Sequence, residues 1–178
     1  MTIIPSLPLT CLSTATQTDT IKISKGKSVV IDFWTTKCTR CPAALDKLNE
    51  MAMDPNFLSL EFISICIDNL DGAREIIEEN DELKWQNISH YYMDFESKEE
   101  AKRSLEFNSV PFYVMLDEHG NIIQKGGEKQ VSFKKNSLFP PLSASQGDLH
   151  QENVSSICFI QDLNTPEETR ILEMDEDF

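Results

Sequence analysis

The chain has 178 residues, 40% of them hydrophobic and 26% charged, which suits a globular chain with one full domain and an appendage. Its formal net charge of -14 argues against nucleic acid or an anionic membrane as the main partner, because both are polyanions. No run of about 18 apolar residues suggests a membrane span, and the N-terminal MTIIPSLPLTCLSTATQ has neither the basic region nor the apolar stretch of a secretory signal, so a cytoplasmic location is expected.

In chain order, Leu7 to Cys11 and Thr20 to Ile23 have the look of two short strands, able to form a hairpin. Ser28 to Trp34 (SVVIDFW) is an apolar, β-branched and aromatic run expected to be a buried central strand. From Cys41 to about Met53 the spacing of Leu45, Leu48 and Met51 predicts a helix. Phe57 to Ile67 is expected to be a strand apolar on both faces, with Leu58, Leu60, Phe62 and Cys66 opposite Ile63, Ile65 and Ile67.

A helix is predicted from Asp71 to about Leu83, then a strand at Ile88 to Met93. Ser97 and Glu100 have the spacing of a capping box and open a third helix, with Ala101 and Leu105 facing inward. After Pro111 the run FYVML, the turn DEHGN and the pair Ile122-Ile123 predict a closing hairpin. From Ser28 the order is therefore β-α-β-α-β-α-β-β, which implies an α/β layered sheet. The division expected is a domain over 1–131 and, over 132–178, a linker and acidic extension: proline, serine and glycine from Ser132 to Gln151, a further strand within Asn153 to Leu163, a helix start at Thr165-Pro166, and the ending EMDEDF, a candidate site for a protein partner.

The five cysteines are Cys11, Cys38, Cys41, Cys66 and Cys158. An odd count argues against a structural disulfide framework and leaves one C-x-x-C pair. Cys38 and Cys41 follow a buried strand and open a helix, where unpaired N–H groups and the helix dipole stabilise a thiolate. The exposed Cys38 is the expected nucleophile and Cys41 the resolving thiol. Lys37 and Arg40 flank Cys38, so its pKa is expected below the free value of about 8.5. Asp32 lies inside the apolar strand, where a buried carboxylate is costly; it either serves proton exchange with Cys41 or points to solvent or a neighbouring lysine.

VVIDFWTTKCTRC resembles the active-site segment of the thioredoxin superfamily: a hydrophobic strand, Asp-Phe-Trp, a spacer and C-x-x-C. The resemblance implies a thioredoxin-like fold, a central mixed sheet with helices on both faces. It gives Asp32 the place of the buried proton-handling acid, and Trp34 that of the tryptophan beside the dithiol. Cys38 and Cys41 take the places of nucleophile and partner, and Val110-Pro111 that of the cis-proline loop that pairs with the substrate backbone.

The strand and helix between Asp68 and Pro111 make an extra insertion, and FNSVPFYVMLDEHGNIIQKGG and KISKGKSVVIDFW are similar to segments of the TlpA, tryparedoxin and nucleoredoxin-like branch. Implied are a protein disulfide oxidoreductase, protein disulfide substrates, a separate thiol reductant, and no metal or organic cofactor. Lys37, Thr39 and Arg40 join Trp34, Val110 and Pro111 as the substrate-binding rim.

The sequence departs from the family pattern at Lys37, usually aromatic, at the Thr39-Arg40 pair, and at Pro42 after Cys41. A thiolate favoured by these charges makes the disulfide more oxidising. The alternative is a thioredoxin-fold interaction module with a regulatory dithiol. Zinc ranks low, because His90, His119 and His150 are scattered and no second cysteine pair exists. So does a peroxidase, since Thr35 fits that pattern but Ile31 stands where its proline belongs.

Overall fold

A computed structural model describes residues 8–18, 24, 26–79 and 82–133. Strands β1 (Leu9–Cys11) and β2 (Gln17–Thr18) form an antiparallel hairpin. The expected hairpin partner, Thr20 to Ile23, lies outside the described residues, as do the expectations for the chain after Phe133.

Strand β3 (Ser28–Trp34) is buried along its whole length, and helix α1 (Cys41–Met53) follows it. β4 (Leu60–Cys66), α2 (Leu70–Ile77), β5 (Glu78–Glu79), β6 (Glu82–Leu83), β7 (Ser89–Met93), α3 (Phe95–Leu105), β8 (Phe112–Leu116) and β9 (Ile122–Gly126) complete the order. Seven strands make one sheet in the order β2-β1-β7-β4-β3-β8-β9; β5 and β6 form a small separate hairpin. β3, β4 and β7 are parallel, while β8 pairs antiparallel with β3 and with β9. The sheet is therefore mixed, with the two parallel crossovers through α1 and α2 expected of βαβ units.

The alternation of side chains along the strands fills two separate cores. Val30 and Trp34 of β3, with Phe62 and Cys66 of β4, pack against α1 and α2. Ile31, Phe33, Ile63, Ile65 and Val114 pack against Ala101 and Leu105 of α3. The two faces read for β4 from the sequence are thus both present. β4 is nevertheless shorter than the expected Phe57 to Ile67. Pro55–Phe57 forms a 3-10 turn capped by the Asp54 carboxylate, which accepts from the Asn56 N–H at 2.8 Å. Leu58 is consequently 68% exposed instead of buried.

Two further boundaries differ from expectation. α2 stops at Ile77, because Glu78 turns extended and pairs with Leu83 in the β5–β6 hairpin. α3 begins at Phe95, before Ser97, and its cap is Asp94, whose carboxylate accepts from the Ser97 N–H at 2.8 Å. The closing hairpin turns as predicted. Asp117 accepts from the N–H groups of His119 and Asn121, and Gly120 takes the positive φ of 79° that a residue with Cβ resists.

Candidate active site

The end of β3 sets the site. Trp34 is the last residue of the strand; the loop Thr35 to Arg40 then leads into α1, which starts at Cys41. The loop is held from below by Asp68, just past β4. Its carboxylate accepts from the Thr36 N–H at 2.9 Å and the Thr36 hydroxyl at 2.8 Å, and from the Cys66 thiol at 3.1 Å. Burial works to raise the Asp68 pKa, but the bonds from Thr36 and Cys66 outweigh it and hold the carboxyl below its ordinary value. Sequence reasoning passed over Asp68; its one signal was a carboxylate at the carboxyl end of a central strand.

Cys38 and Cys41 are joined by a disulfide, with Cα atoms 5.4 Å apart. Cys38 is half-buried and Cys41 fully buried in the first turn of α1. Pro42 also sits in that first turn, where no N–H is required of it, so it leaves Cys41 helical. Arg40 is the N-cap residue, its side chain makes no cap bond, and no acid occupies the first turn. The amide end that favours an anionic sulfur therefore has no carboxylate of its own turn against it.

The Val110-Pro111 peptide is cis, and it faces the dithiol. The Cys38 sulfur lies 3.9 Å from the Val110 carbonyl oxygen; being in a disulfide, it has no proton to donate. The Arg40 guanidinium donates to the same oxygen at 3.2 Å. Val110 is half-buried and Pro111 buried, while Lys37, Thr39 and Arg40 are exposed around the dithiol. Trp34, only 1% exposed, packs in the core beside Cys41 and offers no surface to a docked chain.

Beneath the dithiol, Asp32 shares the side of β3 that carries Val30 and Trp34. It is wholly buried, and neither of its carboxylate oxygens has a hydrogen-bond partner. Burial alone pushes its pKa well above the usual carboxylate value. The register extends this position into a row across four strands. Asp32 stands opposite Tyr113 of β8 and Ser64 of β4, and Ser64 stands opposite His90 of β7.

Within the row, His90 Nε2 donates to the Trp85 carbonyl at 3.2 Å, so Nδ1 accepts from the Ser64 hydroxyl at 2.7 Å. Burial lowers the His90 pKa and raises that of Tyr113, to which the Asp32 charge adds a smaller push. Cys66, at the end of β4, is pushed up to about 12, mainly by burial, and is an inert core thiol.

A βαβ core with a dithiol at its strand-to-helix turn, a buried acid below and a cis proline opposite defines a thioredoxin-type disulfide protein. Residues 26–122 match the family model described as thioredoxin-like, and the chain belongs to that family. No curated protein matches the sequence.

Among solved structures, the thioredoxin domain of a thiol-disulfide oxidoreductase from Bacteroides vulgatus superimposes with a TM-score of 0.57 at 17% identity, covering 76% of this chain and 89% of that one. A thioredoxin-like protein from Porphyromonas gingivalis gives 0.55 at 20% identity, over 71% and 81% of the two chains. StoA from Bacillus subtilis gives 0.51 at 17%, over 70% and 89%. At these identities the likeness is one of fold.

Proposed function

We propose that the chain is a thiol–disulfide oxidoreductase acting on protein disulfides through Cys38 and Cys41. The observation that carries this reading is the pair itself. It is an oxidised dithiol at a helix N-terminus, with Cys38 the more accessible sulfur and the only unpartnered buried acid on the same side of the sheet, among the described residues. The family, the branch-like strand–helix insertion β7–α3, and relatives named as oxidoreductases support it.

In the reduced protein the Cys38 thiolate attacks one sulfur of a target disulfide. That bond breaks, the other target sulfur leaves as a thiolate, and Cys38 is held to the target in a mixed disulfide. Cys41 then gives up its proton and attacks the Cys38 sulfur. The Cys38–Cys41 disulfide forms, the second target thiolate departs, and two electrons have passed to the target. Asp32, on the same side of the sheet, is the group able to hold that proton, because burial raises its affinity for one. In the return direction a small thiol attacks Cys38, Cys41 leaves, and Asp32 supplies the proton. No metal or organic cofactor takes part; a separate thiol reductant supplies the electrons. The proposed setting is a reducing compartment such as the cytoplasm, where Cys11 and Cys66 stay free thiols.

The test is reduction of insulin disulfides by the full chain with dithiothreitol as donor. Cys38→Ser should lower the catalysed rate about 10³-fold or more. Undiminished turnover in that variant would overturn the proposal.

A further inference from the structure

Arg40 is the residue of the rim with the most to explain. It is exposed, lies between the two cysteines, and is the N-cap residue of α1 without making a side-chain cap. One of its five N–H donors is committed, to the Val110 carbonyl at 3.2 Å; among the described residues no carboxylate pairs with it. Lys37, exposed on the other side of Cys38, is likewise without an acidic partner among the described residues. A chain of net charge -14 thus presents two uncompensated cations where its reactive sulfur is reached. Asp68, which anchors the loop before Cys38, is already taken up by Thr36 and Cys66.

The Val110 oxygen matters because it also lies 3.9 Å from the Cys38 sulfur. A polypeptide whose sulfur comes within bonding distance of Cys38 passes directly beside this carbonyl. An incoming backbone N–H competes with Arg40 for this oxygen, which accepts at most two donors. A guanidinium released there is a planar fork suited to a carboxylate, which it can bind through two parallel hydrogen bonds.

Building on the oxidoreductase reading, we propose that Arg40 is a specificity-determining residue that exchanges the Val110 carbonyl for an acidic side chain of the target. The favoured target is an extended polypeptide with Asp or Glu within one or two residues of its reacting cysteine. Arg40 thereby acts twice. It competes with a neutral chain for the Val110 carbonyl, and it rewards an acidic one with an ion pair. Lys37 adds unspecific attraction of the same sign, screened by salt.

The experiment compares disulfide-linked peptides that differ only in Glu, Gln or Lys beside the cysteine, reduced by the full-length protein. Wild type should prefer Glu over Gln about fivefold in kcat/KM at low salt, with the difference in KM. The preference should shrink as salt rises, and Arg40→Ala should cut it to the small, salt-screened part that Lys37 supplies. Arg40→Lys should restore part of it, since the charge returns without the fork. Equal kcat/KM for the three peptides in wild type, or a preference undiminished in Arg40→Ala, overturns this inference and leaves the oxidoreductase reading standing. If wild type turns over none of the peptides and no insulin, both fall.

Discussion

The two faces of the central sheet use the same strands for opposite ends. On the α3 side, Ile31, Phe33, Ile63, Ile65 and Val114 make a wall of apolar side chains, with Phe107 and Phe112 stacked at 4.5 Å against it. On the α1 side, the same strands at the same depth carry Asp32, Ser64, His90 and Tyr113 in one row under the dithiol. Burying that row costs stability, most of all at Asp32, whose oxygens are unpartnered. Both faces hold the fold together, and the α1 face also spends some stability on a buried, unpartnered acid on the side of the dithiol.

The sharpest way to break this division is to damage the apolar face. Phe33 is 1% exposed, with Phe107 at 5.2 Å between ring centroids. Phe33→Ala should cost about 3–5 kcal/mol in denaturant unfolding while leaving turnover per folded molecule unchanged. A loss of turnover at unchanged stability would show that the faces are not separate in role.

On the other face the signs reverse. Asp32→Asn should slow exchange about 10²-fold, measured as insulin reduction. It should also stabilise. The folded pKa of Asp32 lies above the unfolded one, so wild type loses stability as pH rises from about 4 through the folded value. Asparagine does not titrate. The variant should match wild type near pH 4 and exceed it by a growing margin as pH rises above that. A variant less stable at high pH would contradict the assignment of Asp32 as an unpaired buried acid.

The smallest effect belongs to the far end of the row. Burial lowers the His90 pKa, so His90 is neutral in the fold and its contribution is lost as pH falls below the unfolded value of about 6.5. Replacing both partners, Ser64→Ala with His90→Leu, removes the bonded pair together and avoids stranding either member. Stability measured between about pH 7 and pH 5 should then lose part of its fall with decreasing pH.

Much of this was legible in the sequence where local pattern and burial agree. The run SVVIDFW is strand β3 to the residue, α1 spans the predicted Cys41 to Met53, and the two faces of β4 follow its alternation. The cis bond at Pro111 was legible only through family resemblance, since local chemistry favours trans.

The misses are places where a turn side chain outweighed hydrophobic pattern. Asp54 and Pro55 end the approach to β4, Asp94 caps α3 ahead of Ser97, and the helical pattern of α2 gives way to a hairpin at Glu78. The polar row was hidden for a different reason. Ser64 and His90 are 26 residues apart, and only the parallel register of β4 and β7 makes them neighbours. Asp68 was likewise unseen, because its hold on Thr36 spans 32 residues.

The central claim concerns which sulfur a target meets first, and Cys41→Ser tests it most directly. The full-length variant, reduced and then offered an excess of a peptide disulfide, should carry one peptide by mass spectrometry, attached to Cys38, and the adduct should disappear in Cys38→Ser. Cys11 is the instructive competitor: although burial works against it, the bonds it makes with Ser13 and Thr14 lower its pKa, and it is half-exposed at the end of β1. A peptide found on Cys11, or no adduct at Cys38, would contradict the account.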